Sequence, residues 1–123
     1  MKIYRISQNI SEKTIRAFHG TNKPFDKFDR NFSAQGVFWF SEDIELIKNE
    51  ESGAVSSKYI ASVDLRVNNV AGWDDYDRKF LDQIEQEGFD SVKLDQYWII
   101  FDSNRIKINE WYKRQEDGSY KVI

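Results

Sequence analysis

Strict alternation is clearest over residues 58–67, where Tyr59, Ala61, Val63, Leu65 and Val67 fall on one side and Ile60, Ser62, Asp64 and Arg66 on the other. A period of two predicts a strand with a dry face and a wet face. Shorter strand patterns are read at residues 2–6, 14–19 (TIRAFH), 36–40 (GVFWF) and 105–108. Helical spacing appears twice. Residues 41–50 carry Ile44 and Ile47 three apart, behind Ser41 as expected N-cap and acids at Glu42 and Asp43. Residues 75–87 carry Tyr76, Phe80, Leu81 and Ile84, with Asp74 as expected N-cap and Gly88 just past the end. Residues 89–94 and 97–101 read as strands around Asp95-Gln96, a predicted tight hairpin built on a pair that such turns rarely use. Asp117-Gly118, between Trp111-Tyr112-Lys113 and residues 119–122, is the stronger hairpin signal. Many short strands with two helices predict an α+β fold.

Composition narrows the chemistry. The 123 residues predict a single domain spanning 1–123. Nine Phe, six Tyr and four Trp argue for a folded core. A net charge of −3 supplies no global field for nucleic acid or an anionic membrane. With no cysteine and one histidine, disulfides, thiolate chemistry and multi-histidine metal sites are excluded, so no metal site is expected. Residues 1–15 lack the apolar core of a signal peptide, and no run approaches the length of a membrane helix. The expected compartment is therefore the cytoplasm, of the producing cell or of a host cell. Asn9-Ile10-Ser11 matches a glycosylation pattern that this compartment would not use.

Three stretches can carry chemistry. His19-Gly20-Thr21 closes an apolar strand: the imidazole either caps the strand end or, with Gly20 admitting a ligand to the backbone and Thr21 adding a hydroxyl, faces a polar ligand. Trp39 and Phe40 either belong to a buried strand or offer a wall to a planar heterocycle. Asp95, Gln96 and Tyr97 are either a polar hairpin tip or polar groups aimed into a cleft from a rigid strand. Lys23, Lys27 and Arg30 read as a solvated loop. No nucleophile elbow, P-loop or dinucleotide glycine motif is present.

Taken in order, these stretches resemble ADP-ribosyltransferases of the diphtheria-toxin and poly(ADP-ribose)-polymerase type, and more narrowly their small forms in phage and mobile-element proteins. The resemblance rests on Ala17-Phe18-His19-Gly20-Thr21 with Phe25 and Phe28, on Gly36-Val37-Phe38-Trp39-Phe40-Ser41, and on residues 59–69 ending in Asn68-Asn69 without the usual Pro. It continues through Gly88-Phe89-Asp90-Ser91-Val92 and residues 97–107 (YWIIFDSNRIK), and so spans about 14–108.

The resemblance implies a split β-sandwich with two or three short helices that grips NAD between two small sheets. It implies that His19 binds a ribose hydroxyl, that the Gly20 backbone clamps the nicotinamide carboxamide, and that Thr21, Trp39, Phe40 and Tyr97 line the cofactor site. The family's third catalytic residue is a Glu. Here its position falls on Tyr97, or with shifts of one or two residues on Gln96 or Asp95, and Arg105 replaces the usual Gln. Asp95 is the expected acid with Gln96 orienting the sugar, because a carboxylate stabilises oxocarbenium charge as an amide or phenol does not. The implied activity is NAD-dependent mono-ADP-ribosyl transfer to a macromolecule, most simply a protein. An impaired member that only occupies a host partner, and an NAD glycohydrolase or nucleic-acid modifier, stand beside it.

Overall fold

The computed structural model describes residues 12–32, 36–49 and 57–123, so the strand expected at residues 2–6 lies outside the described residues. Among the described residues there are eight strands: β1 (Lys13–Thr21), β2 (Phe38–Ser41), β3 (Tyr59–Val67), β4 (Val70–Ala71), β5 (Ser91–Leu94), β6 (Tyr97–Ile100), β7 (Ile106–Arg114) and β8 (Tyr120–Val122). Three short helices accompany them: α1 (Ile44–Lys48), α2 (Trp73–Arg78) and α3 (Leu81–Gln86). The strands form one mixed sheet in the order β4-β5-β6-β2-β1-β3-β7-β8, parallel only between β4 and β5. The fold is α+β.

The join between β1 and β2 shapes the sheet. β1 pairs with β3 along its whole length, from Lys13↔Val67 to Thr21↔Tyr59. β2 pairs with β6 from Phe38↔Ile100 to Ser41↔Tyr97. Between these two ladders, β1 and β2 share the single register pair Phe18↔Ser41. The sheet thus opens beyond Phe18, at the end where His19 sits.

Alternation along β2 and β6 sends side chains into two separate cores. Phe38, Phe40, Trp98 and Ile100 join Ala17, Ala61, Val63, Leu65 and Val67 on one face. Val37, Ile99 and Phe101 join Val92, Leu94 and Ile84 on the other, with Trp39, Tyr76, Leu81 and Tyr97 packed around them. This is the period-two rule acting on a sheet covered on both faces.

Several sequence expectations are corrected. The helix at 41–50 starts later: Asp43 is the N-cap, accepting the Glu45 N–H at 2.9 Å, while Ser41 ends β2 and bonds Asp43 with its hydroxyl. The helix expected at 75–87 is two helices, and Gly72 rather than Asp74 precedes the first. Lys79 is extended at the break, and its ammonium bonds Asp75 at 3.1 Å and Glu87 at 2.5 Å, tying the halves together. The break lets Tyr76, Leu81 and Ile84 all reach the second core, whereas Phe80 is left 81% exposed. Gly88 follows the helix with φ +98°, in the left-handed place expected of it.

The dry face of β3 is as expected, but its other face is wet only in part. Asp64 and Arg66 reach solvent and pair with neighbours, while Ile60 and Ser62 are buried. The Ser62 hydroxyl has no partner among the described residues. Strand signals at 105–108 and 111–113 merge into β7, which bulges opposite Ser62 and Val63. Both hairpins form. Asp95-Gln96 makes a two-residue turn with Asp95 at φ +59°, and Gln115–Ser119 closes β7–β8 with Gly118 at φ +88°.

Two motifs distant in sequence also meet. The Asp90 carboxylate accepts the Asn68 and Asn69 N–H groups and the Ser91 hydroxyl, and the Asn69 amide donates to the Gly88 carbonyl. Arg105 donates to the Arg66 carbonyl at 3.0 Å, a bond that ties the segment before β7 to the end of β3. No helix among the described residues is long and apolar enough to cross a membrane.

Candidate functional site

A cavity of about 600 Å³ lies where β1 and β2 part. His19 and Thr21 line it from the end of β1, and Val37, Phe38 and Trp39 from the start of β2. The loop between them contributes Lys23, Pro24, Phe25, Lys27, Phe28 and Asp29.

His19 is the polar centre of this wall. Strand alternation puts it on the face of Ala17, and its ring meets Phe28 at 5.1 Å, Phe40 at 5.5 Å and Phe25 at 6.3 Å between centroids. Its Nδ1 lies 2.7 Å from the Trp39 carbonyl oxygen. A carbonyl only accepts, so Nδ1 carries the proton and Nε2 keeps a lone pair. Burial pushes the imidazole below its usual pKa, and the opposing pull of the Trp39 carbonyl is the weaker effect. The neutral ring does two things. It satisfies a carbonyl beside the splayed strands, and it offers an acceptor nitrogen to a hydroxyl or amide.

Gly20 has a packing explanation. A Cβ there would run into the Ser57 hydroxyl and come within 2.8 Å of Ile47 Cγ2. Strand alternation aims this direction away from the His19 face, and Gly20 is not on the cavity wall. The Thr21 hydroxyl bonds the backbone of Lys23 at 3.3 and 3.4 Å, which starts the loop, and Thr21 borders the cavity.

Trp39 borders the cavity too, although its ring belongs to the second face and meets Tyr76 edge-on at 6.3 Å. Phe40 is 2% exposed and sits in the first core, where it supports the His19 ring without reaching the cavity wall.

Asp95, Gln96 and Tyr97 are not on the cavity wall. Asp95 is exposed in its turn and accepts the Trp73 indole N–H at 3.4 Å. Gln96 is exposed, and its carbonyl accepts the Glu42 N–H at 2.8 Å. Tyr97 packs on the second core, on the opposite face from His19. It is two strands from β1, about 10 Å at ordinary strand spacing.

Residues that local pattern does not single out also shape the site. Glu42, a helix-opening acid by pattern, accepts the Trp98 indole N–H at 2.5 Å and lies 3.5 Å from the Lys93 ammonium, so it clamps the β5–β6 hairpin to β2. Arg30, grouped by sequence with the solvated lysines, pairs with Glu85 at 2.9 Å and binds the Gly36 carbonyl. Lys23, Lys27 and Asp29 stand on the cavity wall. The sequence signal for them is the interleaving of Lys and Phe over residues 23–28. Comparison with protein-family models, with curated proteins and with solved structures gives no match for the chain.

Proposed function

We propose that the chain holds NAD in the cavity beside His19 and acts as an NAD-dependent mono-ADP-ribosyltransferase on a protein target, using a sheet of the ADP-ribosyltransferase kind. The observation that carries this reading is the lone imidazole at the end of β1, facing a cavity over the gap between β1 and β2. The cavity size lies within the range of small-molecule sites, about 300–1,000 Å³. Its walls combine apolar and aromatic surface with few polar groups, as a planar heterocycle on a sugar requires. NAD brings an ADP-ribosyl group whose bond to nicotinamide is broken in the transfer. The chain's part is to hold it: the neutral His19 ring accepts from a sugar hydroxyl, and the loop from Lys23 to Asp29 covers the site.

A second reading is favoured by a separate observation. None of Asp95, Gln96 and Tyr97 lines the cavity, so among the described residues a carboxylate in the family position is missing from its wall. On that reading the domain binds nucleotide or partner without efficient transfer. Calorimetry with NAD on the whole chain and on His19→Ala tests the binding claim, with loss of binding in the variant expected. No heat with wild-type protein at millimolar NAD overturns both nucleotide readings. Mass spectrometry of NAD after incubation, alone and with cell protein, separates them: consumed NAD with modified protein supports transfer, and bound but intact NAD supports the second.

A further inference from the structure

We infer that Lys23 and Lys27 form an anion subsite on the cavity rim that recognises the phosphate groups of a nucleotide diphosphate. This inference rests on the nucleotide reading above for the identity of the ring that enters the cavity. Both lysines line the cavity and both are exposed. No hydrogen bond or ion pair ties either ammonium group to another described residue. Other lysines near acids are used: Lys79 holds Asp75 and Glu87, Lys48 holds Glu45 and Lys93 holds Glu42. Among the described residues Asp29 is the one carboxylate on the wall, and it is already engaged by the Asn31 N–H at 2.9 Å. The rim therefore carries a local positive excess on a chain whose net charge is −3.

The loop that presents these charges is anchored. Phe28 is 5% exposed and meets Phe38 and Phe40 at 5.3 Å. Phe25 meets Phe28 at 4.8 Å and Trp111 at 5.2 Å. Thr21 fixes the Lys23 backbone, and Pro24 fixes the next φ. Each lysine thus flanks an anchored aromatic, and the ammonium groups reach the rim from a backbone held before ligand arrives. An apolar interior beside an imidazole, with two ammonium groups against one carboxylate at the mouth, fits a ligand with a planar ring at one end and phosphate at the other.

The test titrates whole chain and a Lys23→Ala/Lys27→Ala double variant with ADP-ribose, NAD, inorganic pyrophosphate and nicotinamide, at low and at physiological salt. Both positions are exposed, and a Lys23→Arg/Lys27→Arg variant keeps the charge as a control for folding. The expected result is a loss of about tenfold per lysine for the phosphate-bearing ligands, a shallower salt dependence, unchanged nicotinamide binding, and retention in the arginine variant. Equal affinity and equal salt dependence in wild type and double alanine variant overturn the subsite while leaving NAD binding in place. Lysine-dependent binding of ADP-ribose or pyrophosphate without binding of NAD supports the subsite and removes NAD as the ligand. Absence of binding by all four ligands overturns both.

Discussion

Replacing Gly20 with Ala separates a packing role from a ligand role at the residue after the histidine. The new Cβ would lie 2.8 Å from Ile47 Cγ2, 3.1 Å from Ser57 Cβ and closer still to the Ser57 hydroxyl. Carbon atoms rest at about 3.5–4.0 Å, so Ile47 would have to retreat by roughly 0.7–1.2 Å. Ile47 and Ser57 are each 3% exposed and have little room to do so. Overpacking of this kind costs about 1–3 kcal/mol. Loss of glycine's freedom in the unfolded chain returns about 0.4–1 kcal/mol. Taken at their central values, about 2 and about 0.7 kcal/mol, these leave a net loss of about 1–2 kcal/mol. With an unfolding entropy of about 2.1 cal/mol/K per residue, 123 residues give a fall in Tm of roughly 4–8 °C. Thermal and urea unfolding followed by tryptophan fluorescence measure it. Ser57→Gly in the same chain removes two of the three clashing atoms, so the double variant should recover about 1 kcal/mol relative to the sum of the singles. An unchanged or raised Tm in Gly20→Ala would refute the packing argument. If that stable variant also failed to bind NAD, the glycine would be serving the ligand instead.

The structure sets four further outcomes. The chain has one histidine, so nitrogen NMR of His19 gives an isolated signal; a neutral ring protonated on Nδ1 at pH 7 is expected, and a proton on Nε2 would contradict the bond to Trp39. Because burial lowers the folded pKa below the unfolded 6.5, the unfolded chain takes a proton that the folded chain refuses. Stability is therefore full above about pH 6.5 and falls as pH drops toward the folded value, and His19→Gln should flatten urea midpoints across that window. Ser62→Ala removes a buried hydroxyl without a described partner and should raise stability by about 1 kcal/mol; a loss in urea unfolding would mean that the hydroxyl is satisfied. Ile84→Ala, at 0% exposure, should cost about 2–5 kcal/mol, whereas Phe80→Ala, at 81% exposure and at a helix N-cap where neither side chain can cap, should stay within about 0.5 kcal/mol; equal losses would restore the single continuous helix.

Local pattern alone determined much of the chain. The period-two run of β3 set its dry face, Gly88 marked a helix end, and Asp117-Gly118 set the last hairpin, because each is decided by backbone preferences within a few residues; the Asp95-Gln96 hairpin was read from the two strands around it. The α+β class came from the same signals. Burial on both sides of a strand was not legible: Ile60 and Ser62 are buried on the face that the alternation reads as wet. Nor was the break at Lys79, where reaching the second core and pairing with Asp75 and Glu87 outweigh a continuous helical period. The candidate site divides in the same way. His19, Thr21 and Trp39 stood out as residue types at a strand end, and they border one cavity. That Asp95, Gln96 and Tyr97 lie off its wall, that the space beside Gly20 is filled by Ile47 and Ser57, and that Lys23 and Lys27 stand at the cavity rim are tertiary facts. They depend on β1 and β2 touching at one pair and then parting, a gap set by which strands lie side by side and not by the sequence of either strand.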